Sequence, residues 1–256
     1  MSQTFQRLAV APAYQQVSET IEREILAGRI KPGDKLPTET ALAVQMGVNR
    51  STVREGIRLL EQSGLVRREG GKRLTASLPH YGELASRMSR AMVLHEVSFL
   101  ELWEAAMALE PATARLAAPR IGPDLLAQLA DNLARTEETL RKGRSVVELD
   151  IEFHALIAKA ADNKALLLAR EPTSLLFYPA VGVLLRKLPQ AGKRLLDAHR
   201  QILAGLERAH AETAESWMRK HIVDFKRGYA MAGIAMDRPV EQIAHDLSPR
   251  RRTPAA

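Results

Sequence analysis

The chain has 256 residues, only 4% of them aromatic, and no cysteine. Disulfides and thiolate metal sites are therefore excluded, and scarce aromatics beside abundant Ala and Leu favour packed helices over sheets. The formal charge of +7 sits at the two ends: residues 1–77 hold 12 Lys+Arg against 8 Asp+Glu, Arg250, Arg251 and Arg252 follow near the other end, and residues 78–249 balance to zero. A basic end suggests a polyanionic partner, of which nucleic acid is the commonest. No apolar run approaches the roughly 18 residues of a membrane span, and residues 1–30 lack a signal-peptide pattern, so a soluble cytoplasmic protein is expected.

In chain order, residues 12–27 read as a first helix, with Val17, Ile21 and Ile25 four apart and Gly28 placed for a left-handed stop. "KPGDKLP" (31–37) reads as a turn and a short extended segment. Thr38 is a reasonable N-cap for a second helix to about Met46. "GVN" (47–49) is a tight turn, and Asn49 caps a third helix over roughly 50–62 that stops at Gly64. Two short basic runs then flank Gly70 and Gly71 as a hairpin.

The third helix carries two stripes. Val53, Ile57 and Leu60 supply an apolar side, while Arg50, Arg54 and Arg58 recur one turn apart on the other. Helix, turn, helix and basic hairpin is the layout of a winged helix-turn-helix, whose second helix enters the major groove with its N-terminal residues at the base edges. Arg50 and Arg54 are placed for guanine, and Arg58 for phosphate or a neighbouring carboxylate. Ser51, Thr52 and the helix N-terminus can donate to phosphates. Thr38, Thr40 and the wing residues Gly70, Gly71 and Lys72, with Arg67, Arg68 and Arg73 around them, complete the expected DNA face. A solvated helix face is the alternative for the stripe alone; the turn, caps and hairpin together favour DNA.

Residues 77–80 read as a linker between a DNA-binding domain over 1–76 and a second domain over 81–235. The latter is helical nearly throughout, with breaks expected near Pro119/Pro123, Gly143, Asn163, Pro172, Pro179 and Pro189–Gly192. The fold class is mainly α: a winged helix-turn-helix with a small β-hairpin, then an antiparallel bundle of six or seven helices. Residues 236–256 read as a disordered tail.

Asp150 and His154 stand at i, i+4 on one helix face, and His199 and His221 each fall in a helical pattern. Converging in a bundle, one carboxylate and three imidazoles suit a divalent metal such as Zn, Ni or Mn. The alternative is a local Asp150–His154 pair with two ordinary, partly buried histidines. His80, His95, His210 and His245 have no such partners.

The stretch from "GRIKPGDKLPTE" through "VNRSTVREGIRLLEQSGLV" resembles the DNA-binding domain of GntR-type bacterial transcription regulators over about residues 12–76. That resemblance implies base- and phosphate-contacting roles for Arg50 and Arg54. Two departures are Thr40, where the family usually has an arginine, and "GGKR" in place of a Gly-Arg/Lys-Gly wing. "LWEAAMALEPATARLAA" (102–118), "DIEFHALIAKAADN" (150–163) and the later His199 and His221 resemble the FadR branch, with its all-helical ligand-sensing FCD domain. The resemblance implies a metal on Asp150, His154, His199 and His221, a small organic acid effector, and a location in the bacterial cytoplasm, on the nucleoid when DNA-bound. Ala106 stands where the family usually has an arginine for anionic effectors; Arg115, Asn163 and Arg186 are the remaining candidates for that pocket.

The function expected is a transcription regulator and not an enzyme, a metabolite-responsive repressor binding a palindromic operator as a homodimer, with no membrane partner. Two alternatives stand beside it: a metalloenzyme using the Asp/His site, and a DNA-binding protein whose bundle only dimerises.

Overall fold

The structure, a computed structural model, describes residues 11–70, 73–79 and 81–240. The chain divides into two compact units between His80 and Tyr81. Gly71, Lys72, His80, His245 and the Arg250–Arg252 run lie outside the described residues.

The first unit contains α1 (Ala13–Leu26), α2 (Glu39–Met46), α3 (Arg50–Ser63), β1 (Val66–Glu69) and β2 (Arg73–Ala76). The apolar positions read from the sequence make its core: Val17 and Ile21 of α1, and Val53, Ile57 and Leu60 of α3, are all buried. The Thr38 hydroxyl accepts from the Ala41 amide at 3.1 Å and starts α2. Gly47 stops it at φ +65, a left-handed conformation that turns the chain toward α3 within three residues. β1 and β2 are antiparallel, with Val66 opposite Ala76 and Glu69 opposite Arg73. The "KPGDKLP" segment joins the hairpin: Gly33 N donates to Ala76 O and Leu36 N to Leu74 O.

The second unit holds seven helices among its described residues: α4 (Tyr81–Leu94), α5 (Phe99–Ala117), α6 (Pro123–Arg141), α7 (Val147–Ala160), α8 (Lys164–Lys187), α9 (Gln190–Glu207) and α10 (Ala211–Met231). Helix α10 packs on α5 and α9, and α7 packs on α5, α6 and α8. Ser98 and Glu101 form a reciprocal capping box at the start of α5.

Two expectations change. Helix α8 runs unbroken through Pro172 and Pro179, where breaks were expected. Each proline leaves the carbonyl four residues earlier without its helical donor. Those carbonyls belong to Leu168 and Leu175, and α8 keeps its helical path past both. The second change concerns residues 236–240, assigned above to a disordered tail. They pair with the start of α5 instead: Leu100 N donates to Met236 O, Val240 N donates to Val97 O, and the Val240 side chain is buried.

A candidate DNA-reading face and a candidate metal centre

Helix α3 presents its basic side outward. Arg50, Ser51, Arg54 and Arg58 are exposed and Thr52 is half-buried. With Thr38, Glu39, Thr40, Glu61, Arg68 and Leu74, the three arginines line a cleft of 680 Å³. The Asn49 side chain makes no capping bond, which leaves first-turn amides of α3 open to an external acceptor. Gly70 ends β1 at φ +56, the conformation its hairpin turn requires.

Glu39 organises this face. Its Oε2 accepts from the Nε of Arg50 at 3.3 Å and of Arg54 at 3.2 Å, and its Oε1 accepts from Arg68 Nη2 at 2.9 Å. Burial pushes this carboxyl up, but the hydrogen bonds and charges of Arg68 and Arg54 outweigh it and hold it below the usual carboxylate range. Arg58 is taken by Glu55, at 2.9 Å from Nε.

In the second unit, α7, α9 and α10 bring Asp150, His154, His199 and His221 together, all 2% exposed or less. One ligand atom from each lies within 4.8 Å of all the others. His221 Nε2 is 3.2 Å from His154 Nε2 and 3.2 Å from His199 Nε2. Asp150 Oδ1 is 3.3 Å from His199 Nε2, 3.7 Å from His154 Nε2 and 3.9 Å from His221 Nε2. Nitrogen donors bonded at about 2.1 Å to one metal lie about 3.0 to 3.4 Å apart, so the nitrogen spacings match those of ligands sharing an ion.

Hydrogen bonding alone does not satisfy the group. A neutral His221 Nε2 either donates one proton or accepts one, yet it faces two other Nε2 atoms. Both oxygens of Asp150 are buried without a hydrogen-bond partner. A buried carboxylate among imidazole lone pairs is the donor set of a divalent cation. Burial pushes His199 and His221 well below the usual histidine range, which keeps them neutral and able to coordinate, and pushes Asp150 up in the absence of a cation.

Two residues of this centre escape a reading of the sequence. Glu110, on α5, places Oε2 3.0 Å from His154 Nδ1, and its Oε1 accepts from Arg170 of α8 at 2.9 Å. Both are buried. Arg170 lines the same narrow space as Ala106, so it is the guanidinium beside that position. The candidates named from sequence lie apart from this group. Arg115 is exposed and bonded to Glu215 and Glu212, and Asn163 caps α8 by accepting from Leu166 N. Arg186 lines a separate cavity of 420 Å³ with Arg144, Ser145 and Gly182.

Comparison with known proteins gives two family matches: the bacterial regulatory proteins of the gntR family over residues 13–75, and the FCD domain over residues 101–224. The chain is 26% identical over 201 residues to the HTH-type transcriptional regulator LutR of Bacillus subtilis, covering 77% of this chain and 92% of that one. It is 25% identical over 226 residues to the Glc operon transcriptional activator of Escherichia coli, covering 84% and 88%. A solved GntR structure from Streptococcus agalactiae superposes with a TM-score of 0.52 at 25% identity, over 84% of this chain and 99% of that one. These relatives are transcription regulators, not enzymes.

Proposed function

The chain belongs to the GntR family of bacterial transcription regulators, in its FadR-type branch with an FCD domain, and we propose that it is a metabolite-responsive repressor that binds a palindromic operator as a homodimer. Arg50 and Arg54 read bases, Ser51, Thr52, Thr38 and Thr40 contact the backbone, and the wing around Gly70, Gly71 and Lys72 follows the groove. Asp150, His154, His199 and His221 hold a divalent metal, Zn, Ni or Mn. A bound ion supplies positive charge to which a small carboxylate effector can attach, and Arg170 lines the same space as Ala106. An effector alters DNA binding only by favouring one arrangement of the protein over another.

The observation carrying this reading is the buried, hydrogen-bond-deficient Asp150/His154/His199/His221 group in a chain that also presents an arginine-striped helix. For the homodimer, support comes from α4 and α8. Leu84, Met88 and Leu94 of α4 and Leu168 and Leu175 of α8 are exposed apolar side chains, and a groove of 440 Å³ runs along these helices. A second copy would cover them, and a two-fold dimer matches two half-sites.

The test is elemental analysis of the purified protein and of His154→Ala after dialysis without chelator. About one metal per chain, lost in the variant, is expected. Small metal-binding carboxylates should then change the affinity for a duplex selected from a random pool by the protein itself. Absence of metal in both proteins, even after loading with Zn, Ni or Mn, refutes the metal-anchored pocket and leaves a plain apolar cavity or a bundle that only dimerises.

A further inference from the structure

Glu39 touches three arginines from two other elements, and how it touches them matters. Both bonds to α3 use the same donor type: Arg50 Nε at 3.3 Å and Arg54 Nε at 3.2 Å, each to Oε2. The other oxygen is anchored by Arg68 of β1, whose own Nε is held by Glu61 at 2.9 Å. The carboxylate is thus fixed from the wing side and is only 10% exposed, whereas Arg50 and Arg54 are 61% and 59% exposed.

A guanidinium gripped at Nε alone has its plane set, and the end edge that carries its two terminal amino groups stays free. Those two groups match O6 and N7 of guanine in a bidentate pair. Neither Arg50 nor Arg54 spends its terminal amino groups on another bond among the described residues. The contrast is Arg58, which commits both Nε and a terminal amino group to Glu55. An ungripped arginine keeps several rotamers and meets any phosphate within reach, which carries no sequence information.

We propose that Glu39 is a specificity-determining positioning residue: it buttresses Arg50 and Arg54 through Nε so that their terminal amino groups meet guanine edges, and its charge withholds both cations from non-cognate phosphates. This rests on the reading that α3 enters the major groove. It makes the carboxylate favourable for discrimination and unfavourable for non-specific affinity, a sign that a purely structural acid would not show.

The experiment uses the full chain and two fluorescent duplexes, one selected from a random pool by the wild-type protein and one of equal length containing only A·T pairs. Anisotropy titrations at several salt concentrations compare wild type, Glu39→Gln and Arg54→Ala. For Glu39→Gln, discrimination between the duplexes should fall by about tenfold to a hundredfold, because one or two bidentate pairs lose their geometry. Affinity for the A·T duplex should hold or rise, with an equal or steeper salt slope. A repeated selection with the variant should show weaker preference at guanines. Unchanged discrimination in Glu39→Gln, with Arg54→Ala strongly impaired, overturns the inference and leaves the groove reading intact. If Arg54→Ala is also without effect, the groove reading itself fails. Should Glu39→Gln lower thermal stability enough to unfold the first unit, Glu39→Asp decides. It keeps the charge but withdraws it by one methylene, so reduced discrimination at a wild-type salt slope supports the role and unchanged discrimination refutes it.

Discussion

The ring Nδ1 of His154 lies 3.0 Å from Glu110 Oε2, with both side chains buried and 44 positions apart in the chain. A carboxylate can only accept, so Nδ1 carries the proton and Nε2 is left as a lone pair facing Asp150, His199 and His221. Glu110 therefore sets the tautomer and ring orientation that coordination needs. Glu110→Gln, whose amide can offer either a donor or an acceptor, should weaken metal affinity by about 10- to 100-fold. Competition against a chromophoric chelator measures this, and equal affinity in the variant rules out the orienting role.

The same carboxyl carries a pH signature. Burial acts to raise its pKa, but the charge of Arg170 and the hydrogen bonds from Arg170 and His154 bring it down to about 2. Its folded value lies below its unfolded one. Its stabilising contribution is therefore complete above the ordinary glutamate range and is lost as pH falls toward 2. Removing the charge leaves buried Arg170 with Glu171, 3.2 Å away, as its remaining acidic partner, which costs up to about 3–5 kcal/mol. In urea titrations the gap between wild type and Glu110→Gln should be large at pH 7 and shrink steadily below about pH 4.5. Both tryptophans, Trp103 and Trp217, lie in the second unit, so their fluorescence follows the bundle alone. A gap independent of pH would contradict the assignment of the effect to the Glu110 charge.

What a sequence reveals of such a centre depends on distance along the chain. The stripes of α3 are legible because Arg50, Arg54 and Arg58 alternate with Val53 and Ile57 at helical spacing, and Asp150 with His154 is legible for the same reason. Glu39 is 11 and 15 positions from the two arginines it grips, and Glu110 is 60 from Arg170. No local period marks either relationship; only the fold brings them together. The prolines of α8 show a different limit. A proline removes one donor, and whether the helix breaks there depends on the packing around it: Pro172 is buried within an unbroken α8, which no local pattern shows. His199 and His221 lie in helical patterns, yet their convergence on Asp150 follows only from the packing of α10 on α5 and α9 and of α7 on α5.

Gly56 is a packing requirement of the first unit. A Cβ at this position of α3 would stand 2.7 Å from the Tyr14 carbonyl oxygen and 2.8 Å from Val17 Cγ1, both on α1. The carbonyl is backbone and cannot swing aside, so Gly56→Ala should push α1 from α3 and destabilise this unit by about 1–3 kcal/mol. Helicity followed by circular dichroism should fall at lower urea than in wild type, while the tryptophan transition of the bundle stays in place. Coincident shifts in both signals would show that the two units do not unfold independently.

The three arginines of α3 are not equivalent, and their ranking separates base reading from phosphate contact. Arg58 is already paired: Glu55 accepts from its Nε at 2.9 Å and from a terminal amino group at 2.5 Å. To reach DNA it must give up or share that partner, and its surface pair is itself worth little. Arg54 sits one turn nearer the helix N-terminus, where a recognition helix meets base edges. Arg54→Ala should therefore lower affinity for a selected duplex by about tenfold or more and flatten its preference at one position, whereas Arg58→Ala should change affinity less and uniformly across sequences. Salt titration distinguishes the two kinds of loss: a residue whose role is phosphate contact reduces the slope of log K against log salt by about one when removed, with base preference intact. Equal losses of affinity and preference in both variants would place Arg58 at the bases as well, and would require the Glu55 pair to open on binding.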